Sequence, residues 1–364
     1  MKQAKLLLIV VVLVAAALAP SSLMAAPLHL RAVPIPNLDP QLINTKGLLV
    51  GYDDQDNLVA VEEGEAENDI LLKNIRYHIN LLQVTEDGEV IYSSTDENNI
   101  QTVSAINTAT TKHPVRVIYK RTNNYSPILV NHVGDVAVEE TVDEKSSLLV
   151  LPHASRTRRI ALPDNYYPLY LTDDGAAIGE YTEYNDTTNR NDRLLLMLNY
   201  SNKIVSSVTS RPINRQINSI VYGTAAGNVY GDASPVDGDQ SNDPHILFSL
   251  KVPNNKFVSY GPIAQNENLQ GLWEGRFAVL GPYINNTQIS RLAANGGKSS
   301  YLTCNGLTGI RLEFSYSYPP QNVTFAHLWA TDRNDFARSE TVVLVPSNTN
   351  IGAGVFGQWN CLLR

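Results

Sequence analysis

The densest group of chemistry-bearing residues in this chain is DGDQSND at 237–243, which sets Asp237, Asp239, Ser241 and Asp243 at every second position. Alternate oxygen side chains in a tight loop can converge on Ca²⁺, which takes about six to eight oxygen ligands. The loop lacks a central glycine, and Phe248 stands where an EF-hand places its bidentate acid, so a solvated acidic loop is the competing reading. Asp53, Asp54 and Asp56 form another acidic turn with a weaker claim on a cation. No other cofactor is expected.

These acids have no catalytic company. The seven histidines (29, 78, 113, 132, 153, 245 and 327) are scattered, and HExxH, GxSxG, SxxK and a phosphate-cradling glycine loop are all missing. Nucleophilic catalysis therefore has no sequence support, and no catalytic residue is assigned. Eighteen tyrosines and three tryptophans offer aromatic faces on which sugar rings could stack, although strands enrich tyrosine for their own reasons. Asn124, Asn185, Asn199, Asn285 and Asn322 fit the N-x-[ST] acceptor pattern, which matters only in a host that glycosylates its exported proteins.

The N-terminus and the cysteines indicate a compartment. Lys2 and Lys5 precede an unbroken apolar run from Leu6 to Ala19, then Pro20 and the small residues Ser21, Ser22, Ala25 and Ala26. That order describes a secretory signal peptide over 1–26, and the run is short of the roughly 20 residues that span a bilayer. An uncleaved anchor is the alternative. Only Cys304 and Cys361 occur, and an isolated pair in an exported protein is expected to form one disulfide. In the chain-entropy account, closing that loop restricts the unfolded state by about 4 kcal/mol.

The formal charge of −8 becomes −10 once Lys2 and Lys5 leave with the leader. An acidic chain whose densest basic piece is Arg156–Arg159 is not expected to bind nucleic acid or anionic lipid. No later apolar run is long enough to cross a bilayer, so a secreted or periplasmic location without a transmembrane segment is expected.

The elements that position these residues repeat. A short turn followed by an alternating strand recurs as QDNLVAVEE (55–63), EDGEVIYSS (86–94), HVGDVAVEE (132–140), DDGAAIGEY (173–181) and AAGNVYGDA (225–233). The pivots are Asn57, Gly88, Gly134, Gly175 and Gly227. The unit near 169 reads as strand Leu169–Leu171, a turn, strand Ala176–Tyr181, a polar loop Thr182–Asp192, strand Leu194–Leu198, a turn, and strand Ile204–Val208. Four strands in about 40 residues, repeated, describe β-propeller blades, because a single meander cannot bury both its faces alone. β-Sandwich domains are the alternative. The pattern fades beyond Tyr260, where all three tryptophans and both cysteines lie. The expected organisation is a leader over 1–26, repeated four-stranded units over 27–260, and a C-terminal β region over 261–364 formed by degenerate blades or a separate domain.

DDGAAIGEYTEYN (173–185), and AAGNVYGDA with HILFSL at 245–250, resemble the repeat of bacterial extracellular HAF-type propeller-like proteins. The resemblance spans about residues 45–260, although the His-Ala-Phe of the family is absent. It implies an exported array with no assigned catalytic residues. The expected function is binding of an unknown protein or glycan through an acidic loop face. A secreted carbohydrate-active enzyme and a structural surface protein or adhesin are the rivals. The loops expected on that face are Glu62–Asp69, Ser94–Asn99, Val142–Ser146, Thr182–Asp192 and Ser234–Pro244.

Overall fold

The computed structural model describes residues 28–34, 38–44, 48–61, 69–110, 112–122, 127–142, 145–153, 156–187, 190–199, 204–207, 215–223, 228–235, 246–251, 256–262, 267–273, 277–282, 288–291, 298–300, 302–305, 307–318, 323–332, 339–346 and 359–363. The leader segment 1–26, the loop carrying Asp237, Asp239, Ser241 and Asp243, and Gly227 all lie outside the described residues.

Among these residues the chain forms thirty strands in seven antiparallel sheets. The first sheet is the meander β2–β5 (Asp39–Ile43, Leu49–Tyr52, Leu58–Val61, Asp69–Leu72), and the second is β6–β9 (Ile79–Val84, Glu89–Thr95, Ile100–Asn107, Val115–Thr122). The third is β10–β13 (Ile128–Val130, Val136–Val142, Lys145–Leu151, Arg158–Ala161). The fourth is β14–β17 (Tyr166–Leu171, Ala177–Asn185, Arg190–Leu198, Ile204–Ser207). The fifth is β18–β21 (Arg215–Gly223, Asn228–Pro235, Ile246–Lys251, Lys256–Pro262), and the sixth is β22–β25 (Glu267–Trp273, Phe277–Pro282, Gln288–Arg291, Lys298–Ser300). The seventh combines β26–β30 (Leu302–Cys304, Leu307–Tyr318, Val323–Asp332, Ser339–Pro346, Trp359–Leu363) with the N-terminal β1 (Leu28–Pro34), in the order β26-β30-β1-β29-β28-β27.

First strands of successive sheets lie against each other, as with β2 and β6, β10 and β14, β14 and β18, β18 and β22, and β22 and β27. Apolar clusters fill the junctions between sheets. Val50, Leu58 and Ala60 meet Val90 and Ile106 between the first two sheets, and Ile91, Val103 and Ala105 meet Val136 and Val138 at the next. Ala137, Leu148 and Ile160 meet Leu171, Ala177 and Leu196, then Ile178, Leu195 and Met197 meet Ile217, Val229 and Phe248. Neighbouring residues of one strand thus serve opposite junctions: Val136 and Val138 pack towards the second sheet, and Ala137 towards the fourth. A strand covered on both faces needs a continuous apolar run, as in LLLML at 194–198. This is a β-propeller in which the N-terminal β1 is hydrogen-bonded into the last sheet.

The first-to-second-strand turns are the device that repeats most faithfully. Asn44, Thr85, Asn131 and Thr172 each open a five-residue turn and accept the backbone N–H four residues on, at 3.0, 2.9, 2.8 and 2.8 Å. All four anchors are buried to within 1%. Gly88, Gly134 and Gly175 occupy the fourth position with φ of 88°, 87° and 86°. The two asparagines also reach across to the next blade. Asn44 Nδ2 donates to the Thr85 carbonyl at 2.8 Å, and Asn131 Nδ2 to the Thr172 carbonyl at 3.0 Å.

Two sequence expectations shift here. Asn57 is not the counterpart of Gly88, because it closes the β3–β4 turn; the counterpart turn of the first blade is Asn44–Leu48. The polar segment Thr182–Asp192 is mostly hairpin, since β15 and β16 pair from Thr182 with Arg193 out to Asn185 with Arg190. It needs no aliphatic residue because it extends past the ends of the neighbouring strands, and polar bonds such as Asn185 Nδ2 to Asp192 Oδ2 (2.7 Å) support it.

Candidate functional site

In a four-stranded meander the second-to-third turn and the connector to the next blade emerge on one face. The other two turns emerge on the opposite face. Among the described residues, the first face carries the turns Asp53–Asn57 and Asp96–Ile100 and the outer end of the β15–β16 hairpin. Segment 62–68 falls between β4 and β5 and lies outside the described residues, so Glu62–Asp69 is not a second-to-third-strand connection. Its place is taken by Asp53, Asp54 and Asp56, which leaves the first blade acidic on this side.

The turns of the first and second blades are each organised by an aspartate. Asp53 Oδ1 accepts the N–H of Gln55 and of Asn57, both at 2.9 Å, and Asp53 Oδ2 accepts Asn57 Nδ2 at 2.9 Å. Asp96 Oδ1 accepts the N–H of Asn98 and Ile100, again at 2.9 Å. The fourth residues, Asp56 and Asn99, take the left-handed conformation with φ of 59° and 58°. Burial opposes ionisation of Asp53, but the Asn57 side chain and the Asn57 and Gln55 amides outweigh it and hold the carboxyl below its usual range. Both oxygens of Asp53 therefore serve the turn. Among the described residues no group of three or more His, Cys, Asp or Glu is placed to hold a metal ion.

The connector 73–78 is tied to the first of these turns. Ile75 and Arg76 donate backbone N–H groups to the Asp56 carbonyl at 2.9 and 3.3 Å, and Asn74 N–H donates to Asn57 Oδ1 at 3.0 Å. The Arg76 guanidinium is hydrogen-bonded to Asp39, lies 3.7 Å from Asp56 and stands over the Tyr52 ring, 5.3 Å from its centroid. The adjacent Tyr77 is 82% exposed. Tyr167, at the start of β14, and Tyr184, on the outer end of the β15–β16 hairpin, are 55% and 56% exposed on the same side.

Between the second and third blades, Tyr119 donates its hydroxyl to Glu140 Oε1 at 2.6 Å, and Arg159 lies 2.9 Å from Glu140 Oε2. Burial, then the Glu140 hydrogen bond and charge, push the Tyr119 phenol up to about 12. On the opposite face, His153 Nε2 lies 3.3 Å from Asp87 Oδ2 and its Nδ1 lies 3.1 Å from Glu89 Oε2, with Arg116 at 2.8 Å from the same Glu89 oxygen. His132 Nδ1 sits 3.1 Å from Asp173 Oδ2, linking the third blade to the fourth. Sequence reasoning missed these cross-blade pairs. Only a correct alignment of the turns, which places Asp87, His132 and Asp173 one or two residues after their anchors, could have brought them together.

Cys304 and Cys361 are bonded, with an S–S distance of 1.98 Å and Cα atoms 4.0 Å apart. No helix among the described residues is long and apolar enough to cross a membrane.

Known structures share this architecture. The oligogalacturonate lyase of Vibrio parahaemolyticus matches with a TM-score of 0.53 and 9% identity, over 88% of this chain and 92% of the lyase. The β-propeller domain of the trilobed protease of Pyrococcus furiosus matches with a TM-score of 0.50 and 9% identity, over 89% of this chain and 98% of that domain. At such identities the likeness is one of fold. No family profile and no curated protein matches the chain, so what holds of the HAF-type resemblance is its propeller architecture and not the HAF repeat. The Pyrococcus domain is described as having an open velcro topology, whereas here β1 is hydrogen-bonded into the last sheet.

Proposed function

We propose that this is an exported propeller that works by binding, with no chemistry of its own. Its recognition surface is the face of the second-to-third-strand turns. The observation that carries the reading is how the turn acids are used: exposed Asp87 and Asp173 on one face are paired with His153 and His132 of the third blade, while exposed Asp54, Asp96 and Glu97 on the other stand on turns bonded within themselves and to their own connector. Like charges gathered on one side focus a negative field that attracts cations or a basic protein surface. Asp237, Asp239 and Asp243 lie in sequence between β19 and β20, outside the described residues.

Calorimetry with Ca²⁺, and pull-downs at low and high salt, test this. Heat on Ca²⁺ addition, or a partner released by salt, is the expected result. Retention of both after joint replacement of Asp237, Asp239 and Asp243 by asparagine would remove that loop from the site. Cell fractionation and N-terminal sequencing test export, with cleavage expected near Ala26. A glycan is the second reading, favoured by exposed Tyr77, Tyr167 and Tyr184 on the same face. Its binding would resist salt and fall on replacing those tyrosines.

A further inference from the structure

We infer that the Cys304–Cys361 disulfide gates the docking of β1, so that the propeller completes its last sheet only where those thiols are oxidised. Among the described strands, β1 alone joins a sheet from the opposite end of the chain. Its register divides it between two walls. Leu30 to Pro34 lie opposite Pro346 to Val342 of β29, and Leu28 to Ala32 lie opposite Leu363 to Trp359 of β30. Leu28 and His29 have β30 as their only strand partner.

The β30 wall is the weak one. It is a five-residue strand, and among the described residues its strand partners are β1 and the three-residue β26. Short strands with so few pairs are marginal unless tied down. The tie is covalent: Cys304 sits directly opposite Cys361 in the β26–β30 register, and both are buried at 3% and 4% exposure. Across β30, the same Cys361 is opposite Leu30 of β1. The bond closes a loop spanning 57 residues that contains β27 to β29 and the first half of β30, so the disulfide ties the two walls of the β1 slot together. Without it, a handful of strand pairs must offset the closure entropy of that loop to hold β30 in place. Its departure turns β1 into an edge strand and leaves Leu28 and His29 unpaired.

The oxidation takes two electrons and two protons from the thiols. They pass to a disulfide on an oxidising partner, which leaves as a dithiol by way of a mixed disulfide. Exported compartments supply such a disulfide and a reducing cytosol does not, so closure is deferred until after export. This last step rests on the exported reading above, while the gate itself does not.

Hydrogen exchange on the purified full chain tests the gate in three forms. These are the oxidised protein, the folded protein reduced with dithiothreitol and verified by thiol alkylation, and the Cys304→Ser, Cys361→Ser variant. The expected result is that amides of 28–34 and 359–363 exchange roughly 10³-fold faster in both forms without the bond, while β7, β11 and β15 keep their rates. Rates at β1 within about threefold of the oxidised protein would overturn the gate. Equal acceleration in every blade would also overturn it, since the bond would then support the whole molecule. If the serine variant does not fold, the reduced protein gives the same readout. Recovery of the native protein from a reducing compartment with free thiols would sink the export reading and leave the exchange difference standing.

Discussion

The two kinds of hairpin turn in the first two blades share one hydrogen-bonding plan and use it to opposite ends. In both, a side-chain oxygen at the first position accepts the N–H four residues on, and the fourth residue has positive φ. On one face the first residue is a buried asparagine or threonine and the fourth is glycine at φ near 87°, as at Gly134. On the other the first is an aspartate and the fourth is Asp56 or Asn99 at φ of 59° or 58°. Space decides the difference. A Cβ on Gly88 would sit 2.9 Å from Thr108 Oγ1, and one on Gly134 would sit 3.0 Å from Thr85 Cγ2, an atom of the neighbouring blade. The buried turns form the seam between blades, whereas the aspartate turns stand clear of it and leave their neighbours free to meet a partner.

The largest effect expected from this contrast comes from giving the fourth position the wrong residue. Gly88→Val combines a β-branched residue at positive φ with a collision against Thr108, and should cost about 3 kcal/mol. Asn99→Gly changes the matching position on the other face, and should leave stability unchanged or raise it by about 0.5 kcal/mol. Denaturant titration of both measures this. Similar losses at the two sites would break the distinction.

The first position should divide the faces next. Asn131→Ala removes the acceptor for the Asp135 N–H and the donor to the Thr172 carbonyl, both in the buried seam. Leaving those groups unpaired should cost about 2–3 kcal/mol. Asp96→Ala removes an exposed turn cap and should cost about 1 kcal/mol. A cost at Asp96 matching that at Asn131 would mean that the exposed turns also hold blades together.

This shared plan explains how far the sequence could be read. The propeller was legible because glycine at positive φ recurs with apolar runs behind it, as at Gly134 and Gly175. The first copy was misaligned because Asp53–Asn57 mimics that turn in both sequence and hydrogen bonds. A shift by one strand then makes Glu62–Asp69 look like a second-to-third-strand loop, although it follows the third strand. The polar outer end of the β15–β16 hairpin was read as loop because a hairpin in solvent leaves no apolar alternation. Cross-blade contacts such as His153 with Asp87 depend on how blades are stacked, which no local pattern encodes.

Acid should separate the faces by a smaller margin. Burial opposes ionisation of Asp173, but the His132 ring bond, its charge and its backbone N–H outweigh it and lower the carboxyl's pKa. A lowered folded-state pKa gives stability that is present above the unfolded-state range near pH 4. That stability is lost as pH falls through the folded value. Asp173 is 44% exposed, so solvent screening keeps the contribution to a fraction of a kcal/mol. Asp173→Asn should flatten the acid limb of the stability profile and loosen the junction of the third and fourth blades. Asp53, also lowered, is bonded only within its own turn, so Asp53→Asn should leave hydrogen exchange at that junction untouched. A junction that loosens equally in both variants would contradict the assignment of His132–Asp173 to the seam.

The smallest structural effect is expected where the functional effect should appear. Asp54 and Glu97 are exposed residues within the two aspartate turns, next to the acids that cap them. Replacing them together, Asp54→Asn with Glu97→Gln, removes two negative charges from the face and leaves the turn bonds in place. Stability should change by no more than about 0.5 kcal/mol, as surface substitutions away from packed features usually do. Binding of a basic partner should weaken most at low salt and converge with the parent protein at high salt, because screening erases a long-range field first. A charge-matched change on the opposite face, Asp174→Asn with Glu86→Gln, should leave that salt dependence where it was. Equal weakening by both variants would mean that the whole molecule's charge governs association, and the special standing of this face would be lost.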